Sequence, residues 1–172
     1  MHAYRAHLRA IRGGVGSARR LIVVGVDGSS NSVAALRRAG ADAATDGAKV
    51  RAVCVHGGHI PLDDARPTRV STPPIVDQAA TDARQTLERS VLQALGAEPD
   101  IELELIVRSG AAHDLLIREA RAADLLVIGA RGHNGPFSAL LGSTAQFCAA
   151  HATCPVLVVP ASEYVAVAVG GD

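Results

Sequence analysis

Aromatic side chains make up only 2% of the 172 residues, and tryptophan is absent. That scarcity removes the stacking platforms on which single-stranded nucleic acids are held. An excess of one charge is missing too: 17 Lys+Arg face 17 Asp+Glu, for a formal net charge of zero. Broad binding to DNA, RNA or an anionic membrane needs a basic face that this balance does not supply. No apolar run reaches the ~18 residues that span a bilayer. Five arginines lie among the first twenty residues, without the apolar stretch of a secretory signal. Gly13, Gly14 and Gly16 interrupt any amphipathic helix there, so residues 1–20 read as an Arg-rich, disordered extension. Three cysteines, Cys54, Cys148 and Cys154, form no CxxC and lie in or beside apolar segments. They read as small buried hydrophobes in a reducing compartment, with the cytoplasm the expected location, rather than as a disulfide frame or zinc site.

What is present is aliphatic. Hydrophobic residues form 48% of a chain whose length suits one domain. A core of Val, Leu, Ile and Ala is typical of helices packed on a parallel sheet. Residues 21–26 (LIVVGV) form a continuous apolar run and read as a strand covered on both faces. Asp27, Gly28, Ser29 and Ser30 supply a turn and a helix N-cap, and an Ala-rich helix follows to about Thr45. Residues 50–55 read as a second strand, followed by a long loop over 57–74 rich in Gly, Pro and charge. A second helix is expected from about Ile75 to Leu95, with Val76, Ala80, Ala83, Leu87, Val91 and Leu95 along one face. In residues 101–107, Ile101, Leu103, Leu105 and Val107 alternate with Glu102, Glu104 and Ile106, the pattern of a half-covered sheet edge. A third helix from about Ala111 to before Asp124, a strand at 125–128, a helix at 143–150 and the short strand Val156–Val159 complete the series. The alternation predicts an α/β fold: an open five-stranded parallel sheet with helices on both faces. It occupies residues 21–160, with 161–172 left as a tail.

Gly129, Ala130, Arg131 and Gly132 follow directly on the fourth strand, and Gly142, Ser143 and Thr144 open the fourth helix. Glycines let backbone N–H groups approach an anion with no Cβ in the way. Ser143 and Thr144 fall where unsatisfied N–H groups and the helix dipole favour phosphate. Their hydroxyls can donate to phosphate oxygens or ligate a Mg²⁺ carried with them. The physics alone leaves two readings open, an anion site and a plain structural turn.

At this point the chain resembles the universal stress protein family, whose nucleotide-binding members carry G-x2-G-x9-G-[S/T] after the fourth strand. Gly129, Gly132, Gly142 and Ser143 match that spacing without gaps. VGVDGSS at 24–30, ADLLVIG at 123–129 and CPVLVVP at 154–160 look like the family's first, fourth and fifth strands, so the resemblance covers about 21–160. It implies the Rossmann-like strand order 3-2-1-4-5 of the adenine nucleotide alpha hydrolase-like folds. Strands one and four then meet at the switch in strand order, where open α/β sheets bind ligands. The resemblance further implies ATP with Mg²⁺ as the ligand, Asp27 beside the ribose or phosphates, and the stretch Val55–Gly57 meeting adenine through backbone groups. Gly57 stands where relatives usually carry a branched apolar residue, and Asn134 replaces a commonly seen glycine. Arg131 and His133 read either as positive charge near the phosphates or as exposed loop side chains. Asp27 also suits the turn before the first helix, and Ser29 or Ser30 is the better cap.

Other chemistries lack their signatures. No GxGxxG follows the first strand, no GxxxxGK[ST] occurs, and no second acid lies two residues beyond Asp27 as a haloacid-type phosphotransferase needs. Nothing marks a nucleophile elbow. His56, His59, Asp63 and Asp64 read as solvated loop residues rather than metal ligands. The expectation is a nucleotide-dependent stress-response regulator with no catalytic residue of its own. A slow ATPase or phosphotransferase, and a sensor of AMP or cyclic AMP, are the alternatives. The fifth strand, Val156, Leu157, Val158 and Val159, would leave an apolar edge, and a homodimer through it is expected, with 165–169 (VAVAV) adding a strand there.

Overall fold

The computed structural model describes residues 19–57, 78–132 and 141–161. Strand β1 (Leu21–Gly25), helix α1 (Ser30–Asp46), β2 (Lys49–His56), α2 (Gln78–Leu95), β3 (Glu102–Ser109), α3 (Ala112–Ala120), β4 (Leu125–Gly129), α4 (Ser143–His151) and β5 (Val156–Val159) follow in strict alternation. The five strands pair in parallel in the order β3-β2-β1-β4-β5. This is the expected architecture and strand order. The proposed tail strand at 165–169, the first part of the second helix, His59, Asp63, Asp64, His133 and Asn134 lie outside the described residues.

The sheet divides the core in two because successive side chains on a strand face opposite ways. Ile22 and Val24 of β1, Val50 and Ala52 of β2, Leu36 of α1 and Leu87 of α2 form one cluster. Val23, Val53, Leu126 and Ile128 pack with Leu116 and Ala120 of α3 and Ala145 and Cys148 of α4 on the other side. Each large aliphatic side chain fully withdrawn from water contributes ~1.5–3 kcal/mol. Edge strand β3 is asymmetric, as its alternation predicts. Leu103, Leu105 and Val107 pack on the first cluster, whereas Glu102 and Glu104 join ion pairs with Lys49 at 3.6 and 2.9 Å.

Helix α1 starts at Ser29, whose side chain accepts from the Ser32 N–H at 3.2 Å. It stops at Gly47, whose φ of 68° lets its N–H return to the Ala43 carbonyl. Cys54 and Cys148 are buried free thiols and Cys154 is partly buried. Burial pushes the Cys148 thiol up to about 11. Burial also raises Cys54, with the Asp27 carboxylate the second cause. Raised thiols stay protonated and unreactive, in keeping with the reading of these residues as small hydrophobes. Among the described residues no helix is long and apolar enough to cross a membrane.

Candidate functional site

The strand order reverses direction between β1 and β4, and the chain leaving those two strands diverges to opposite faces. A cleft of about 590 Å³ opens there. Its apolar wall is Val53 and Val55 from β2, Leu116 from α3 and Ile128 from β4. Its polar rim is Asp27, Ser32, Arg131, Gly132, Gly142, Ser143, Thr144 and Gln146. The volume lies in the range of small-ligand sites.

Asp27 is fixed by the turn it starts. Its Oδ1 accepts from the Ser29 N–H at 3.0 Å and from the Ser29 hydroxyl at 2.6 Å. The Ser29 hydroxyl has one proton, so its 3.4 Å approach to the Arg131 carbonyl is a secondary contact. The other oxygen, Oδ2, points across the cleft toward Gly132, where a Cβ would lie 2.6 Å from it. Asp27 thus serves the turn before α1 and faces the glycine segment with the same carboxylate.

The glycines of the segment have separate tasks. Gly129 ends β4 against the start of α1, where a Cβ would stand 2.8 Å from Asn31 C and 2.9 Å from Ser32 N. Those are backbone atoms that cannot swing aside, so Gly129 is required by packing. Gly132 is required by the approach of Asp27. Gly142 meets nothing closer than 3.5 Å. It is the N-cap of α4 with φ −71° and ψ 158°, and among the described residues no side chain caps that helix. Its own N–H donates to the Ala130 carbonyl at 2.8 Å, which draws the two ends of the segment together. The N–H groups that begin α4 at Ser143 and Thr144 therefore open into the cleft without an intrahelical acceptor. Gln146 reaches back to the Leu141 carbonyl at 2.9 Å and holds the approach to this helix.

Of the residues singled out in the sequence, the structure brings Asp27, Gly129, Arg131, Gly132, Gly142, Ser143 and Thr144 to one cleft. His133 lies outside the described residues. Gly57 is described, but it does not line the cleft; Val55, two residues earlier, does. Gly57 adopts φ 72°, so a branched side chain would be strained there, which accounts for glycine at that position. Beside it the His56 carbonyl accepts from the Gly110 N–H at 3.0 Å. Nδ1 of His56 is buried with no hydrogen-bond partner among the described residues. Sequence reasoning missed Val53, Leu116, Ile128 and Gln146, whereas Val55 lies in the stretch it assigned to the base. The first three carry the same aliphatic signal as any core residue, and Gln146 none beyond its place one turn into α4.

The geometry suits a ligand with an anionic end on α4 and an apolar or planar end against β2 and α3. The sequence model of the universal stress protein family matches residues 18–160. Among solved structures, universal stress protein UspA from Lactobacillus plantarum is 26% identical with a TM-score of 0.63, the match covering 83% of this chain and 99% of that one. A universal stress protein crystallised in complex with cAMP is 28% identical, TM-score 0.62, over 85% of this chain and 100% of that one. The universal stress protein from Archaeoglobus fulgidus in complex with dAMP is 22% identical, TM-score 0.56, over 83% and 98%, a likeness of fold alone.

Proposed function

The chain belongs to the universal stress protein family, and from that premise we propose that it binds ATP with Mg²⁺ in the cleft between β1 and β4 and acts as a nucleotide-dependent stress-response regulator. The observation that carries this reading is the uncapped N-terminus of α4, set over the glycine segment and facing Asp27. Phosphates would lie on the N–H groups of Ser143 and Thr144, where partial positive charge is concentrated. Their hydroxyls and Arg131 would add donors. Asp27 alone would repel a phosphate chain; a Mg²⁺ carried with the nucleotide would offset that repulsion, and Asp27 with the Ser143 or Thr144 hydroxyl would be the oxygen ligands to hold it. The base would lie against Val53, Val55 and Leu116. Equilibrium binding of ATP with and without Mg²⁺, with mass spectrometry of any copurifying nucleotide, tests it; no binding up to millimolar ATP would sink it.

A second reading has a specific motive, since a relative 28% identical was crystallised with cAMP. One phosphate would satisfy the same N–H groups, and competition of AMP and cyclic AMP against ATP for one site separates the two. As an enzyme the site is poorly equipped: Asp27, its carboxylate, is already engaged by Ser29. A slow ATPase would show turnover that survives purification and disappears in Gly142→Val.

The proposal extends to organisation. Residues 21–160 form the nucleotide-binding unit, with 1–20 and 161–172 outside it, in a protein of the reducing cytoplasm. Strand β5 pairs only with β4 among the described strands, and all four of its residues are partly exposed. A homodimer through Val156, Leu157, Val158 and Val159 would cover that edge. A monomer by light scattering at micromolar concentration counts against it.

A further inference from the structure

A second concavity, of about 450 Å³, shares no lining residue with the nucleotide cleft. It lies beside α3, from Arg51 near the start of β2 to Arg108 and Ser109 at the end of β3. Four arginines line it, Arg51, Arg108, Arg118 and Arg121, against one carboxylate, Glu119. Glu119 is shared, with Arg51 Nη1 at 3.2 Å and Arg108 Nη2 at 3.1 Å. Arg51 is also held through Nε by Glu104 at 3.1 Å, so its guanidinium is clamped between two strands and a helix. Arg118 and Arg121 form no ion pair among the described residues. Asp114, one turn before Arg118, approaches His113 at 3.5 Å instead.

Arg118 and Arg121 therefore bring two positive charges to this lining that no carboxylate among the described residues pairs, beside two arginines that share Glu119. The C-terminal end of α3 offsets part of their mutual repulsion through the helix dipole, but it supplies no full charge. Guanidinium forks are rigid, remain charged and match planar or tetrahedral oxyanions two bonds at a time. With Arg51 and Arg108 already oriented by Glu119, little ordering remains to be done when an anion arrives. A single phosphate would engage only part of the set. A chain of phosphates carries enough charge, in a short enough span, to meet all of it, and the Ser109 hydroxyl on the same lining offers one more donor.

We propose that this groove is a second binding site, for an oligophosphate chain, either free or at the end of a nucleotide. The probe is inorganic tripolyphosphate, titrated by calorimetry into the full chain, the double variant Arg118→Gln/Arg121→Gln and the cleft variant Gly142→Val. Neither arginine is engaged in an ion pair, so the double variant is expected to fold, which circular dichroism checks. The expected result is a tripolyphosphate site kept in Gly142→Val and weakened about tenfold or more in the double variant, which loses charge-assisted hydrogen bonds. Competition by ATP in Gly142→Val would assign the chain to a nucleotide, and its absence would assign it to free oligophosphate; both support the groove. Loss of the site in Gly142→Val with full retention in the double variant would overturn the proposal, as would no binding by the full chain. ATP binding by the double variant reads the nucleotide cleft separately.

Discussion

Asp27 and Gly132 meet across the reversal point of the sheet so closely that a Cβ on Gly132 would lie 2.6 Å from Asp27 Oδ2. Asp27 cannot simply turn away, because its other oxygen holds the N–H and hydroxyl of Ser29. Gly132→Ala is therefore expected to displace the carboxylate or the glycine segment, at the mouth of the cleft and far from the core. Nucleotide affinity should fall about tenfold, the loss of one charge-assisted contact, while the urea midpoint shifts little. Calorimetry and urea unfolding of the same preparation check the two halves.

Gly129→Ala should behave in the opposite sense, as a stability variant first. The added methyl meets Asn31 and Ser32 backbone at 2.8 and 2.9 Å, and either β4 or α1 must shift. Overpacking of this kind costs ~1–3 kcal/mol, visible as a lower urea midpoint at unchanged slope.

Asp27→Asn separates the roles of charge and geometry. The amide oxygen still accepts from Ser29, so the turn should survive. Without Mg²⁺, ATP affinity is expected to rise by about threefold to tenfold as one exposed like charge is removed. With Mg²⁺ present it should fall instead. Affinities measured in EDTA and in excess Mg²⁺ give the two signs directly, and equal effects in both would count against metal bridging at Asp27.

The thiols set an alkaline limit. Burial pushes Cys148 from 9.0 up to about 11, so between those values the unfolded chain releases a proton that the folded chain keeps. Stability from this source is present below pH 9 and is lost as pH rises through about 11. The loss amounts to at most about 3 kcal/mol, with Cys54, raised by burial and then by Asp27, adding in the same direction. Urea unfolding at pH 8 and pH 10.5 should show a smaller difference for Cys148→Ala than for the parent.

The strands were legible because aliphatic runs such as LIVVG and LLVIG can only be buried on both faces, and β3 because Glu102 and Glu104 alternate with its apolar residues. The order of the strands was not in those patterns; it came only with the family resemblance that Gly129, Gly132, Gly142 and Ser143 help to carry. Gly129 lines the cleft, and its close approach to the start of α1, which no spacing announces, is a second demand on the same glycine. Of the stretch Val55–Gly57, whose place after β2 suggested a meeting with the base, Val55 lines the cleft and Gly57, at φ 72°, does not. The arginine groove had no linear signal at all. Arg51, Arg108 and Arg118 come from β2, β3 and α3, and only the register of β2 on β3 and the seat of α3 bring them together.

The carbonyl and the amide of Ala130 are both committed, one to Gly142 and the other to Val159 on β5, each at 2.8 Å. Just past β5, the Ala161 N–H is tied to the Asn31 side chain at 2.6 Å, on the helix against which Gly129 is packed. The glycine turn and the outermost strand thus form one mechanical unit, fastened at two points. A ligand that displaced that turn would therefore load the rim of the sheet at the same moment, through the two bonds of Ala130.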